Sequence, residues 1–386
     1  MMKFFKLIIV VFSISVAALP ARAAEPNELK TENVILITLD GVRWEEVFRG
    51  VDKKFFDQKD YNAYHKTHGD FKKTFDLGNA NKNRAAVFPF FWSVIAKQGQ
   101  LYGNRDKGSA ASLTNPYHFS YPGYNEILTG LADPRIDSND KVENPNVNVL
   151  EWVNGKDGFK GLTAAFGSWD VFPYILNEKR SGVPVNAGFE QMNGLKDNKQ
   201  VAFLNELQKE VPSPWDTVRF DAFTFGFAFE YLKERKPKML YISLGETDDF
   251  AHEGFYDQYI LAARRADGFI GELWNWVQSD PRYKDKTTLI ITTDHGRGEA
   301  LEAWKHHGRF EYTDENGEKK LSDFPGDTAI WMAVIGPDTP AGGEVQNTEE
   351  VYQNQIAATA AKFLGLTYVD SHPELEAGKP IDSMFK

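Results

Sequence analysis

Four fragments of this chain, far apart in sequence, each set metal-binding side chains at the end of an apolar run. That pattern limits the folds open to it. The fragments are Asp40 in VILITLDG, Ser120 in FSYPGYNEILTG, Asp248 and His252 in LYISLGETDDFAHEG, and Asp294 with His295 in LIITTDHG. A fifth fragment, WKHHG, adds His306 and His307. The runs Asn33–Leu39, Met239–Leu244 and 288–293 are β-rich. Polar residues that directly follow such runs collect at the carboxyl edge of a parallel sheet. Adjacent Asp and His cannot both face a core, whereas at a strand end both can turn toward one ion. Carboxylates with imidazoles suit zinc or manganese better than calcium. The collection points to a hydrolytic metalloenzyme.

The bulk composition sets outer limits. A length of 386 residues, 42% of them hydrophobic, is enough for one large α/β domain or two smaller ones with a packed core. With no cysteine, there are no disulfides, no thiolate ligands and no thiol nucleophile. The N-terminus carries Lys3 and Lys6, an apolar stretch over 7–16, and Ala21-Arg22-Ala23 before a polar segment. It reads as a secretory signal peptide, residues 1–23, cut near Ala23, and so implies a periplasmic or secreted protein of residues 24–386. No later segment is long and apolar enough to be an integral span. The formal charge is −11, and losing the basic leader makes the chain more acidic still. Nucleic acid is therefore not an expected partner, and an anionic substrate needs local positive charge, which bound metal supplies.

Along the chain, 50–85 is polar without clear period and reads as irregular. Helices are expected over 88–98, after Ser120 as far as Gly130, over 220–233, and over 257–279, where apolar residues recur at helical spacing. Further strands are expected over 162–166 and 329–335. The last helix is expected to start near Asn347, with Glu350 as its capping partner, and to end at Gly365. Residues 131–220 are loop-rich and read as a cap or insert. Strands alternating with helices predict a mostly parallel sheet covered on both faces.

Taken in order from LITLDG to AATAAKFLGL and GKPID, these motifs resemble the alkaline phosphatase superfamily of two-metal phosphohydrolases. The likeness is greatest to the nucleotide pyrophosphatase/phosphodiesterase branch and to phosphoglycerate mutase-like members. It implies a doubly wound α/β sandwich. It also implies one divalent ion, Zn2+ ahead of Mn2+, on Asp40, Asp294, His295 and the nucleophile Ser120. A second ion would be held by Asp248, His252 and a late histidine, where His307, standing before Gly, fits better than His306. Ser120 matches the pattern of Thr or Ser, any residue, Pro, then a helix ending in Thr-Gly. A hydroxyl there sits at a helix N-terminus, which favours anions.

Two departures bear on substrate. Gly123 stands where the phosphodiesterase branch often has a phosphoryl-binding Asn, and Asn125 is the candidate replacement. The loop Ser168-Trp169-Asp170 lacks the Lys and Arg of some monoesterases, leaving Lys305, Arg43 or Arg297 as possible cations. Trp169, Tyr121 and Tyr124 offer stacking surface to an organic group. The resemblance thus implies an exported hydrolase of small-molecule phosphate esters, diester or monoester, working through a phosphoserine. A phosphomutase-like member is an alternative, though an exported protein would rarely meet phosphoglycerate. A sulfatase-like member is disfavoured because Tyr124 stands where the formylglycine motif needs Arg. A non-catalytic metal-binding envelope protein is the remaining alternative, and the complete ligand set argues against it.

Overall fold

Seven residues, NVILITL, make the central strand β1 (Asn33–Leu39), buried along its whole length. A strand covered on both faces needs apolar residues at nearly every position, and this one has them. In a computed structural model, which describes residues 29–63, 68–195, 197–314 and 316–386, β1 lies inside an eight-stranded sheet. The other strands are β2 (Gln100–Tyr102), β3 (Thr163–Gly167), β4 (Val185–Ala187), β5 (Met239–Leu244), β6 (Thr287–Thr292), β7 (Met332–Ile335) and β8 (Gly343–Glu344). Their order is β8-β2-β7-β6-β1-β5-β3-β4. Only β7 runs against its neighbours; every other pairing in the sheet is parallel. The expected leader over 1–23 lies outside the described residues.

Alternation along the strands divides the core into two layers. Ile35, Ile37, Leu39, Leu240, Ile242, Leu289 and Ile291 pack on one face. Val34, Leu36, Met239, Tyr241 and Ile290 pack on the other. The first face is covered by α3 (Asp221–Arg235) and α5 (Tyr256–Val277), through residues such as Phe227, Leu232, Tyr259, Ala266, Ile270 and Leu273. The second is covered by α1 (Ser120–Thr129), α2 (Val149–Asn154) and α6 (Ile356–Phe363), through Ile127, Leu128, Leu150, Ala357 and Ala360. Helices on both faces of a mostly parallel sheet are the doubly wound arrangement. Truncating a buried residue such as Ile37 to Ala would cost about 2–5 kcal/mol.

Strands β1, β3, β5, β6 and β7 and helices α1, α3 and α5 fall where the sequence puts them, shifted by at most three residues at their ends, whereas β2, β4 and β8 were not expected. Four segments differ. The 50–85 stretch is not irregular: it forms helices Lys53–Phe56, His68–Phe75 and Ala80–Val87. Asp52 and Asn79 cap two of them by accepting from Lys54 N and Lys82 N, and Phe55, Phe56, Phe71 and Phe75 enter the core. The expected 88–98 helix contains a π-helical segment, Phe91–Ile95. The final helix starts at Ile356, not near Asn347. Val351–Tyr352 pairs as a strand with Ala111–Ser112, and Glu350 accepts from Ser112 Oγ at 2.5 Å. The 131–220 stretch contributes β3 and β4 to the main sheet, and its helix Lys199–Glu210 packs beside α3. Among the described residues, no helix is long and apolar enough to cross a membrane.

Candidate metal centre and active site

Strands β1, β5 and β6 are parallel and in register, with Leu39 opposite Leu244 and Thr38 opposite Thr292. They leave the sheet at one level, so the residues after them meet. Asp40 N donates to Leu244 O at 2.9 Å, and Thr247 Oγ1 donates to the Asp40 carbonyl at 2.5 Å. Gly41 turns the chain away at φ 61°, and a Cβ there would lie 2.7 Å from Asp248 Oδ1. Both the conformation and the crowding require glycine. A short helix, α4 (Glu246–His252), carries Asp248 and His252 one turn apart, and α1 begins at Ser120.

In the first ligand group each carboxylate has one oxygen occupied and one free. Asp40 Oδ2 accepts from Tyr124 OH at 2.6 Å, and Asp294 Oδ1 accepts from Gly41 N at 3.1 Å. Asp40 Oδ1 and Asp294 Oδ2 are buried with no hydrogen-bond partner. His295 Nε2 lies 3.4 Å from Asp40 Oδ1, 3.3 Å from Asp294 Oδ2 and 3.4 Å from Ser120 Oγ. His295 Nδ1 sits 2.9 Å from the Gly296 carbonyl. A carbonyl can only accept, so Nδ1 carries a proton and Nε2 is the nitrogen turned toward the carboxylates and available to a metal. Gln353 Nε2 holds the loop by donating to the carbonyls of Thr293 at 3.0 Å and Asp294 at 2.7 Å.

The second group is Asp248, His252 and His307, whose ligand atoms lie within 4.8 Å of one another. His252 Nε2 is 3.1 Å from Asp248 Oδ2 and 3.0 Å from His307 Nε2, and His307 Nε2 is 3.5 Å from Asp248 Oδ1. His307 Nδ1 lies 3.1 Å from the His118 carbonyl, which fixes its tautomer in the same way. His306 is exposed; its ring is 6.4 Å from that of His252 and 5.7 Å from that of Phe324.

The electrostatics of the cluster call for a cation. Burial and the neighbouring Asp40 carboxylate push Asp294 well above the usual range. Burial alone would lower His295, but Asp294, Asp40 and Asp248 raise it to about 9. Burial and the charges of His295 and Arg297 press His307 well below the usual imidazole value, leaving it neutral. Burial works to raise Asp248, yet His252 and Arg297 pull it well below its ordinary value. Buried carboxylate oxygens without donors are costly. The residues present fit divalent ions: free oxygens and outward Nε2 atoms are gathered, and the protein itself supplies too little positive charge for them.

Several residues marked by the sequence are engaged by the protein itself. Asn125 does not replace the missing phosphoryl contact: its Nδ2 donates to Leu131 O at 2.7 Å, and its Oδ1 accepts from Asn144 and Asn146. Gly123 is glycine because a Cβ would lie 2.4 Å from the Asp294 carbonyl oxygen, so no side chain fits there. Lys305 pairs with Glu302 at 2.5 Å. Trp169 is half-buried, edge-on to Phe172. Tyr121 and Tyr124 are buried and offer no stacking surface. Arg43 is buried against Glu46, and Arg297 is buried with its guanidinium on Asp248 and its Nε on the Trp304 carbonyl. The N-terminus of α1 presents few donors, since Tyr121 N is taken by Asn139 Oδ1 and Pro122 has none. Sequence reasoning missed Tyr124 as a support of Asp40 and His118 as a support of His307. The left-handed backbone of His118, φ 56°, has no sequence signal.

A family model described as type I phosphodiesterase / nucleotide pyrophosphatase matches residues 50–361. No curated protein matches the sequence. Among solved structures, wild-type alkaline phosphatase PafA is 11% identical, with a TM-score of 0.57 over 94% of this chain and 100% of that one. The lipoteichoic acid synthase LtaP from Listeria monocytogenes is 13% identical, with a TM-score of 0.55 over 95% of this chain and 79% of that one. The phosphonate monoester hydrolase SpPMH from Silicibacter pomeroyi is 13% identical, with a TM-score of 0.52 over 91% and 76%. At these identities the structures speak to the fold alone.

Proposed function

The chain belongs to the type I phosphodiesterase / nucleotide pyrophosphatase family, and from that premise we propose that it is an exported, two-metal phosphodiesterase with Ser120 as nucleophile. The observation that carries the reading is the pair of unpartnered, buried carboxylate oxygens, Asp40 Oδ1 and Asp294 Oδ2, beside His295 Nε2 and Ser120 Oγ. Asp40, Asp294, His295 and Ser120 would hold one ion; Asp248, His252 and His307 would hold the other. Zn2+ is the first choice, Mn2+ the second. When bound, such ions lower the pKa of a hydroxyl and balance charge on the reacting phosphoryl group.

Ser120 Oγ attacks phosphorus, and the bond to the ester oxygen breaks as the new one forms. Water then attacks the phosphoserine, restoring the hydroxyl and releasing the second product. A diester suits the site better than a monoester because its cationic side chains are already engaged: Arg297 by Asp248, Lys305 by Glu302 and Arg43 by Glu46. A dianionic monoester would find little protein charge beyond the metals.

The test compares kcat/KM of zinc-loaded protein for an aryl phosphodiester, the matching monoester and an aryl sulfate, together with Ser120→Ala. Diesterase activity at least equal to monoesterase activity, and lost in the variant, is expected. A monoester preference above about a thousandfold, roughly 4 kcal/mol of discrimination, would overturn the substrate reading. A fully active Ser120→Ala would overturn the covalent mechanism.

A further inference from the structure

Three segments remote in sequence close on one another beside the second ligand group. The His118 carbonyl lies 3.1 Å from His307 Nδ1, and the His118 ring Nδ1 lies 3.0 Å from Asp327 Oδ1. The other oxygen of that carboxylate, Asp327 Oδ2, accepts from Gly308 N at 3.1 Å. Arg309 N donates to the Tyr117 carbonyl at 2.7 Å. The segment before Ser120 and the segment bearing His307 are thus tied at both backbone and side-chain level, with Asp327 bridging them.

His118 occupies this position against its backbone preference. Its φ is 56°, a left-handed conformation that is costly for a residue with a Cβ. Asn115 holds it there: Asn115 Oδ1 accepts from His118 N at 2.9 Å and from Tyr117 N at 3.1 Å. Asn115 is itself fixed by Glu126, fully buried on the helix that Ser120 begins, through its N at 2.8 Å and its Nδ2 at 2.9 Å. This turn presents the His118 carbonyl to His307 and its ring to Asp327 at once.

We infer that His118 and Asp327 form a positioning pair that aims His307 Nε2 into the second metal site. This rests on the two-metal reading. The partner of a ligating imidazole fixes its tautomer and tilt, and losing such support costs about 10- to 100-fold in metal affinity. The loss should fall on one ion. Asp40 and Asp294 accept from Tyr124 OH and Gly41 N, His295 Nδ1 donates to the Gly296 carbonyl, and none of these side chains touches the Asp327 side chain.

The experiment measures zinc affinity and stoichiometry in wild type, Asp327→Ala and His118→Asn, with the absorption of the Co2+-substituted forms as a site-specific signature. Asparagine tolerates the left-handed backbone, so His118→Asn removes the ring contact while keeping the turn. Circular dichroism melts verify that each variant is folded. Wild type should bind two ions. Both variants should keep one at wild-type affinity and bind the other at least tenfold more weakly, with one Co2+ band changed. Wild-type affinity at both sites in a folded variant would overturn the pairing, as would equal weakening at both sites. Should Asp327→Ala fail to fold, His118→Asn alone decides. Wild type binding no transition metal would instead refute the functional reading beneath it.

Discussion

Replacing Tyr124 by Phe should weaken metal binding without unfolding the protein. The phenol is fully buried and donates to Asp40 Oδ2 at 2.6 Å while accepting from Ser243 Oγ at 3.1 Å. The ring packs edge-on to Phe172 at 4.8 Å between centroids, and phenylalanine preserves that contact. Only the hydroxyl is lost. Asp40 then keeps neither its hydrogen bond nor the constraint that leaves Oδ1 as its single free oxygen. A hydrogen bond to a charged group contributes about 1.5–3 kcal/mol, which converts to roughly 10- to 100-fold in zinc affinity, the range found for supports of metal ligands. Competition against a chelator of known affinity, with urea unfolding run in parallel, separates binding from stability. Affinity within twofold of wild type, or tighter because Asp40 had become bidentate, would refute the argument that Tyr124 sets the ligand.

Other outcomes follow from the same geometry. His307→Ala should lose one metal, whereas the exposed His306→Ala should keep both, as read by elemental analysis; the reverse would reassign the ligand. Gly123→Ala would put a Cβ 2.4 Å from the Asp294 carbonyl, so it should destabilise by about 1–3 kcal/mol and lower zinc affinity, and a neutral result would show that α1 can shift freely. Burial raises Asp221 to about 8 and Asp267 to about 7, against about 3.9 in the unfolded chain. The folded state therefore holds protons that the unfolded state releases, and this contribution to stability falls as pH rises from about 4 through 7–8. Urea unfolding of metal-free protein should show a shallower loss over that window in Asp267→Asn than in wild type, and identical slopes would contradict the assignment.

The centre of the sheet was legible because β1, β5 and β6 are buried along their whole length and so read as continuous apolar runs, whereas the short strands β2, β4 and β8 were not. The candidate ligands were legible because a polar residue directly after such a run has nowhere to go but the sheet edge. Asp40, Asp294 and His295 belong to this class, and parallel register brings them together. What the sequence hides depends on contacts between distant segments. Asp327 lies in an unremarkable DFPGDTA stretch, and nothing local marks its contact with His118, 209 residues away. Asn125 misled because closeness along a helix is not closeness to its ligand face: the side chain turns into a buried amide cluster with Asn144 and Asn146. Tyr124 looked like a substrate surface because an aromatic carries no sign of whether its hydroxyl meets solvent or a carboxylate. The short helices of 50–85 escaped because each buries little: Phe55 and Phe56 in the first, Phe71 and Phe75 in the second, and Asn83 and Val87 in the third.

The central claim is that this cluster holds two ions and needs them for turnover. Titrating Zn2+ into chelator-stripped protein while following aryl diester hydrolysis tests it directly. Activity should be absent from the metal-free protein and rise to a plateau at two equivalents of zinc per chain. Full turnover in the metal-free protein, or a plateau at one equivalent, would contradict the account.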